Sequence, residues 1–299
     1  MRALTLAFGV SLVAAAACSS PGRVATWEQG AAKATAATSS AAASAAMTEA
    51  KALWDKRDDK ASLMAAIAAY EKIAETDTSN APALVMLSRA HYFLADGFLA
   101  VEGAEQEEEF KVYQKGVDYG ERALVLLEPA FGEAMAKEGA KFEVEIGKIG
   151  KNGLDAAYWY AVNLGRFAAR KGLSARLFYK DKLKATMERI AALEPNYFHG
   201  APDRYFGAFY AILPSIAGKD LKKSEAHFEA AVKLGPQYLP NKVVKAQYLA
   251  TERDDQAMYE ALLKEVLAAP DTDDGDIAPE NRAAKRTAQK MLANVGEIF

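Results

Sequence analysis

Ser224-Glu225-Ala226-His227-Phe228-Glu229-Ala230-Ala231-Val232-Lys233-Leu234-Gly235-Pro236 holds the pattern that decides the fold. Phe228 follows Ser224 by four residues, Ala231 comes three later and Pro236 five after that. Intervals of three and four place Ser224, Phe228 and Ala231 on one helical face. Small side chains there let a second helix come close, and the aromatic ring fills the space beside it. The proline has no N–H and ends the helix. The same intervals return at Leu183, Met187, Ile190 and Pro195, and more loosely at Met258, Leu262, Glu265 and Pro270. Ala66, Tyr70 and Ile73 keep three of the four positions, with Thr78 at the last. Gly116, Gly120 and Ala123 lead to Pro129, one residue late.

Outward from that stretch the helical period persists. From about Met47 apolar residues recur at three and four, as in Leu63, Ile67, Tyr70 and Ala74, or Leu84, Leu87, His91 and Leu94. The last segment opens Asp276-Ile277-Ala278-Pro279-Glu280, with Asp276 as candidate N-cap and proline and acid in the first turn. The recurring unit resembles the tetratricopeptide (TPR) repeat. Pro236 and Pro270 are 34 residues apart, the period of that repeat, whereas Pro195 to Pro236 is 41 and Pro129 to Pro195 is 66. The expectation is an all-α protein: an irregular TPR-like helical array, an α-solenoid or superhelix, with extra segments near 96–110 and 131–153.

Composition narrows the function. The chain has 299 residues, 51% hydrophobic and 26% charged, and a net charge of −3, which describes a globular protein without a basic footprint for nucleic acid. One cysteine excludes a disulfide framework and a cysteine-based zinc site, and three scattered histidines offer little for metal or acid–base chemistry. No nucleophile-elbow, phosphate-loop, zinc-protease or dinucleotide motif occurs. No catalytic residue, metal or cofactor is expected, and the chain reads as a binding or scaffolding protein, not an enzyme.

The first 17 residues read as a signal peptide, with Arg2 before an apolar run from Ala3 to Ala17. Ala15-Ala16-Ala17-Cys18-Ser19 resembles the bacterial lipobox, with Ala15 where that pattern has Leu. The resemblance implies lipidation of Cys18, and Ser19 implies sorting to the outer membrane. Residues 18–46 are expected to be the lipidated cysteine and a tether: a linker through 30, then ten alanines among residues 31–46, a stretch open to partial helix because alanine has the best helix propensity. Residues 47–299 form the helical domain.

Four charged or glycine-rich features have bland readings. Gly147, Gly150 and Gly153 form a flexible connector, or else an anion-binding loop. Asp271, Asp273, Asp274 and Asp276 form a solvated acidic loop, because an EF-hand frame there lacks its glycine and its final glutamate. Glu102, Glu105, Glu107, Glu108 and Glu109 form a charged run, a solvated helix face or loop, or else a recognition patch. Arg282, Lys285, Arg286 and Lys290 are a basic helical stripe, exposed or available to an acidic partner.

Residues 154–299 resemble the T component (TatT) of TRAP transporters, TPR-containing periplasmic lipoproteins. The resemblance rests on Ala156-Ala157-Tyr158-Trp159-Tyr160, on Asn196 to Tyr210 (NYFHGAPDRYFGAFY), on Leu213-Pro214, on Ser224 to Pro236, and on Pro279-Glu280-Asn281. It implies association with the transporter's solute-binding (P) component, self-association as a trimer, membrane attachment through the N-terminal lipid only, and a pore or cleft. The aromatic density of 197–210 exceeds what one helical stripe can bury. Trp159, Arg204, Tyr205 and Phe209 are therefore the candidate residues of a ligand or partner cleft, with Arg204 offering donors to a carboxylate. The alternative for Arg204 is an ion pair with Asp203 or Asp220 in an ordinary core. A TPR adaptor for outer-membrane or pilus assembly is the alternative function.

Overall fold

The computed structural model describes residues 22–28 and 41–299, and among them helices alternate with loops and no strand occurs. The α-helices of six or more residues are α1 (Ala41–Trp54), α2 (Lys60–Thr76), α3 (Ala81–Leu94), α4 (Gln106–Leu127), α5 (Pro129–Met135), α6 (Leu154–Lys171), α7 (Leu173–Leu193), α8 (Tyr197–Ile212), α9 (Leu221–Leu234), α10 (Pro240–Lys245), α11 (Gln256–Ala268) and α12 (Ala278–Ala293). Side-chain caps start several of them: Asp59, Asn80, Asp220 and Asp255 accept from backbone N–H groups of the first turn. Asp276 does not cap α12. Its own N–H donates to Asp274, and Ile277 stands at the cap position.

Neighbours in sequence pack as neighbours in space, α1 on α2, α2 on α3, α3 on α4, α6 on α7, α8 on α9 and α11 on α12, and α4 packs on α6 past the short α5. Glycine permits the closest of these contacts. A Cβ on Gly207 of α8 would lie 2.7 Å from the ring of Phe228, so only glycine lets α9 seat that ring. Ser224, Phe228 and Ala231 are fully buried, and Ser224 Oγ donates to the Gly207 carbonyl at 2.7 Å. The earlier Gly116–Gly120 pair works the same way. A Cβ on Gly120 would meet Tyr160 at 2.8 Å, and Ser88 Oγ donates to the Gly116 carbonyl at 2.7 Å.

Two helices are extended by π-turns, Ala95–Leu99 after α3 and Ala246–Ala250 after α10. The continuous helix Ala81–Glu102 is long and apolar enough to cross a membrane by composition, but it lies mostly buried among its neighbours as a core helix. The array then closes on itself. α12 packs against the π-turn of α3, where Lys290 donates to the Ala100 carbonyl at 2.8 Å and Arg286 lies over Phe98 at 4.8 Å. Arg282 pairs with Asp58 at 2.7 Å and Lys285 with Asp271 at 2.7 Å. The basic stripe is thus engaged by the chain itself.

Glu280 binds Arg57 at 2.6 Å and Arg89 at 2.9 Å. Arg57 is 1% exposed and stacks over Trp54 at 4.5 Å.

The N-terminal expectation needs correction. Cys18 and residues 29–40 lie outside the described residues. Gly22–Glu28, read as linker, is docked on the body: Trp27 is 4% exposed among Phe131, Phe142 and Tyr160. Arg23 pairs with Asp118 and with the buried Glu121. The extra segment 131–149 supplies the apolar cover for that indole, and α1 begins at Ala41, inside the expected tether. A stretch of Ala and Ser carries too little pattern to show where a helix starts, and the burial of Trp27 comes wholly from residues a hundred positions away.

Other loops also bind inward. Gly150 and Gly153 N–H groups donate to Glu128 Oε1 at 2.9 and 2.8 Å, so the glycine loop holds an anion that belongs to the chain. In the acidic run Glu109 is buried and bound to Arg170 at 2.5 Å, which corrects its reading as fully solvated.

Candidate functional site

The inner surface of the array carries two adjoining cavities, of about 420 and about 200 Å³. Tyr92, Tyr158, Arg166, Arg204 and Val244 line both and form their common wall. Trp159 lines the larger cavity, Tyr205 and Phe209 line the smaller, and Arg204 lines both. The four residues singled out in the sequence are thereby brought to one bipartite cleft.

Arg204 sits at the junction, 8% exposed. Its Nη1 donates to Asn241 Oδ1 at 2.6 Å, its Nη2 donates to the Tyr158 hydroxyl at 2.9 Å, and its guanidinium lies over the Tyr238 ring at 5.0 Å. The acids proposed as partners are occupied elsewhere: Asp203 with His227 at 2.7 Å, and Asp220 as the cap of α9. Both side-chain hydrogen bonds of this buried cation and its ring contact are thus to neutral groups. Burial opposes its charge, and the neighbouring Tyr158 and Tyr238 outweigh burial, so its pKa is held above the ordinary arginine value.

Arg166 faces the same wall in a different state. It pairs with Asp96 from the first π-turn at 2.6 Å and donates to the Tyr248 hydroxyl from the second at 3.1 Å. Each π-turn re-aims one side chain toward the cleft, a recurring use of that geometry.

The backbone beside Arg204 is strained. Phe198, His199 and Gly200 take φ of 42°, 58° and 78°, three consecutive left-handed residues. The left-handed region is costly for a bulky residue such as Phe, and it persists only where surroundings over-determine it. Here Phe198 is wedged against Tyr158, Trp159 and Tyr238 at 5.4, 5.1 and 5.5 Å, with Arg89 over its face at 5.3 Å. A Cβ on Gly200 would lie 2.9 Å from Ala231 Cα, so that position also requires glycine for space. Window 197–210 is therefore a left-handed turn followed by a helix with Pro202 near its start, not one helix with two aromatic stripes.

Sequence reasoning missed Arg166, Asn241, Tyr92 and Tyr238. A signal existed for Arg166, seven residues and about two turns beyond Trp159. None existed for Asn241, which reaches Arg204 from 37 residues away. Among the described residues no group of three or more His, Cys, Asp or Glu side chains is placed to hold a metal ion.

An all-helical array closed on itself around a bipartite cleft, with a buried arginine where the two cavities meet, sets the class of protein. Residues 58–299 match the family described as TRAP transporter T-component, and the chain belongs to that family. It is thus a component of TRAP transport, at home in the periplasm or at the membrane. No curated protein matches the chain.

Proposed function

We propose that this chain is the lipid-anchored T component that associates with the solute-binding (P) protein of a TRAP transporter and assists solute uptake through its cleft. The observation that carries the reading is Arg204, a buried cation with neutral partners at the junction of two cavities. An unpaired buried charge is unfavourable, and a ligand carboxylate offsets that cost. The solute is an organic acid, its carboxylate on Arg204 and its apolar part beside Tyr205 and Phe209. Trp159 closes the other side. Arg204 also keeps the helices α8 and α10 in register through Asn241, so ligand and partner binding are coupled to the shape of the cleft.

The remaining parts of the reading are attachment through lipid on Cys18, placement at the outer membrane, a TPR-type arrangement of the helix pairs, and a homotrimer. Family membership supports the transport role over an outer-membrane or pilus assembly adaptor. A pull-down from detergent-solubilised envelopes, with this chain as bait, tests the partnership. Recovery of a TRAP solute-binding protein is expected. Recovery of β-barrel or pilus assembly components in its place contradicts it. Light scattering on the purified chain tests the trimer, which a monomer at high micromolar concentration excludes.

A further inference from the structure

The docked segment Gly22–Glu28 fixes where an N-terminal anchor must sit. Arg23 N–H donates to the Tyr179 hydroxyl of α7 at 2.7 Å, and its side chain is held by Asp118 and Glu121. Two carboxylates, one of them buried, grip this arginine, and Trp27 fills an apolar socket four residues later. Arg23 is the fifth residue after Cys18, a step of at most about 18 Å when fully extended. A lipid on Cys18 would thus be tied within that reach of Arg23, whose N–H binds Tyr179 in the N-terminal half of α7.

That half of α7 carries an unusual surface. Leu173, Leu177 and Phe178 are 55%, 44% and 56% exposed, and outside α7 the last residue of α8, Ile212, is 38% exposed and Ile216, in the turn after it, fully exposed. Leu173, Leu177 and Ile212 line the mouth of the smaller cavity, beside the cations Arg176 and Lys180. Tyr179 faces inward, and Leu177 lies about 160° round the helix from it, so strap and rim hold opposite sides of α7, which is only about 10 Å across. Exposed apolar side chains gathered with cations suit a membrane interface.

We propose that this apolar rim contacts the phospholipid surface to which Cys18 ties the chain, and that the Arg23–Trp27 strap holds it there. The proposal rests on the reading of Cys18 as the anchor. The occupant is an anionic phospholipid surface, argued from the short reach of the chain between Cys18 and the strap and from the cations at the rim. The mouth of the smaller cavity then faces the membrane, and the larger cavity is left for the aqueous side.

The test uses the full protein purified from cell membranes and reconstituted into vesicles of phosphatidylcholine and phosphatidylglycerol with brominated acyl chains. Phe178→Trp reports on the rim, and Met64→Trp, on the exposed face of α2, is the control. The native indoles are buried; Trp54 and Trp159 give a constant background, and Trp27, freed by Arg23→Glu, contributes equally to the Phe178→Trp and Met64→Trp proteins that are compared. The Phe178→Trp emission is expected to be quenched and the Met64→Trp emission to be unaffected. Adding Arg23→Glu, which sets like charges against Asp118 and Glu121, is expected to abolish the difference. Equal emission loss at both positions overturns the rim, and a difference that survives Arg23→Glu overturns the strap. A blue shift of the Phe178→Trp emission that grows with protein density in unbrominated vesicles marks contact between copies and overturns the lipid assignment. The mass of the N-terminal peptide separates the two readings. A lipidated Cys18 with no difference in quenching sinks the rim alone, whereas an unmodified Cys18 removes the anchor and the rim with it.

Discussion

Arg204 Nη1 donates to the side-chain oxygen of Asn241 at 2.6 Å, so a buried guanidinium is matched to an amide and not to a carboxylate. The Asn241 amide nitrogen in turn donates to the carbonyls of Ala231, Gly235 and His199, at 2.8, 3.3 and 3.1 Å. One asparagine thus ties the end of α9 and the left-handed turn to the cation in the cleft. A neutral partner leaves Arg204 with charge to offer, and its rigid setting fixes the direction of its donors.

Phe228 tests the helix-pair packing. It is fully buried against the backbone of Gly207. Phe228→Ala is expected to destabilise by about 3–5 kcal/mol. Gly207→Ala is expected to cost about 1–3 kcal/mol through overpacking. Glu108→Ala, on an exposed surface, serves as the neutral control. Urea denaturation midpoints check all three, and equal small shifts contradict the packing.

Much of this pairing was legible because helical period and small-residue spacing are local. Ser224, Phe228 and Ala231 announce their shared face within eight residues, and Trp159, Arg204, Tyr205 and Phe209 stood out by aromatic density around a cation. What was not legible is non-local. Trp27 looks like part of a linker until Phe131, Phe142 and Tyr160 surround it. Three left-handed residues at 198–200 break the helical reading of their window, because tertiary wedging of Phe198 overrides its backbone preference. Arg282 to Lys290 looked like a surface stripe, and only the closure of the array shows that α12 spends those cations on α3 and nearby loops.

Glu280 tests that closure. It neutralises one of two arginines that converge on it, one of them fully buried. Glu280→Gln leaves Arg57 and Arg89 without their carboxylate and is expected to cost about 3–5 kcal/mol. Lys51→Ala, breaking the exposed Lys51–Asp55 pair, is expected to cost less than about 1 kcal/mol. Thermal unfolding of both proteins checks the contrast.

His91 gives a pH dependence with a definite sign. It is buried, and its ring Nδ1–H donates to the Leu87 carbonyl at 2.8 Å. Burial holds its pKa below the ordinary 6.5. The unfolded chain takes up this proton near pH 6.5 while the native protein resists it to lower pH. The stability contributed by neutral His91 is therefore fully present above pH 6.5 and is lost as pH falls through the folded pKa. Melting temperatures between about pH 7.5 and pH 5 are expected to fall, and less steeply in His91→Leu. Identical slopes would remove His91 from the account. His199, whose pKa burial and Arg204 also lower, is expected to leave a residual slope.

Cys18→Ser tests the anchor. The variant is expected in the soluble periplasmic fraction, because stable membrane attachment needs more than one acyl chain and the lipid proposed for Cys18 is what would supply them. Sedimentation of the variant with membranes in high salt contradicts the assignment.

The most direct measurement of the central claim is the affinity of the Arg204→Met protein for the solute-binding partner loaded with its organic acid, by calorimetric titration beside the wild type. Methionine keeps much of the side-chain volume and removes the charge. Circular dichroism and the melting temperature show whether the fold is kept. The account predicts a folded variant whose affinity falls by about tenfold or more, the loss of a charge-assisted hydrogen bond. A well-folded Arg204→Met protein with unchanged affinity would contradict it.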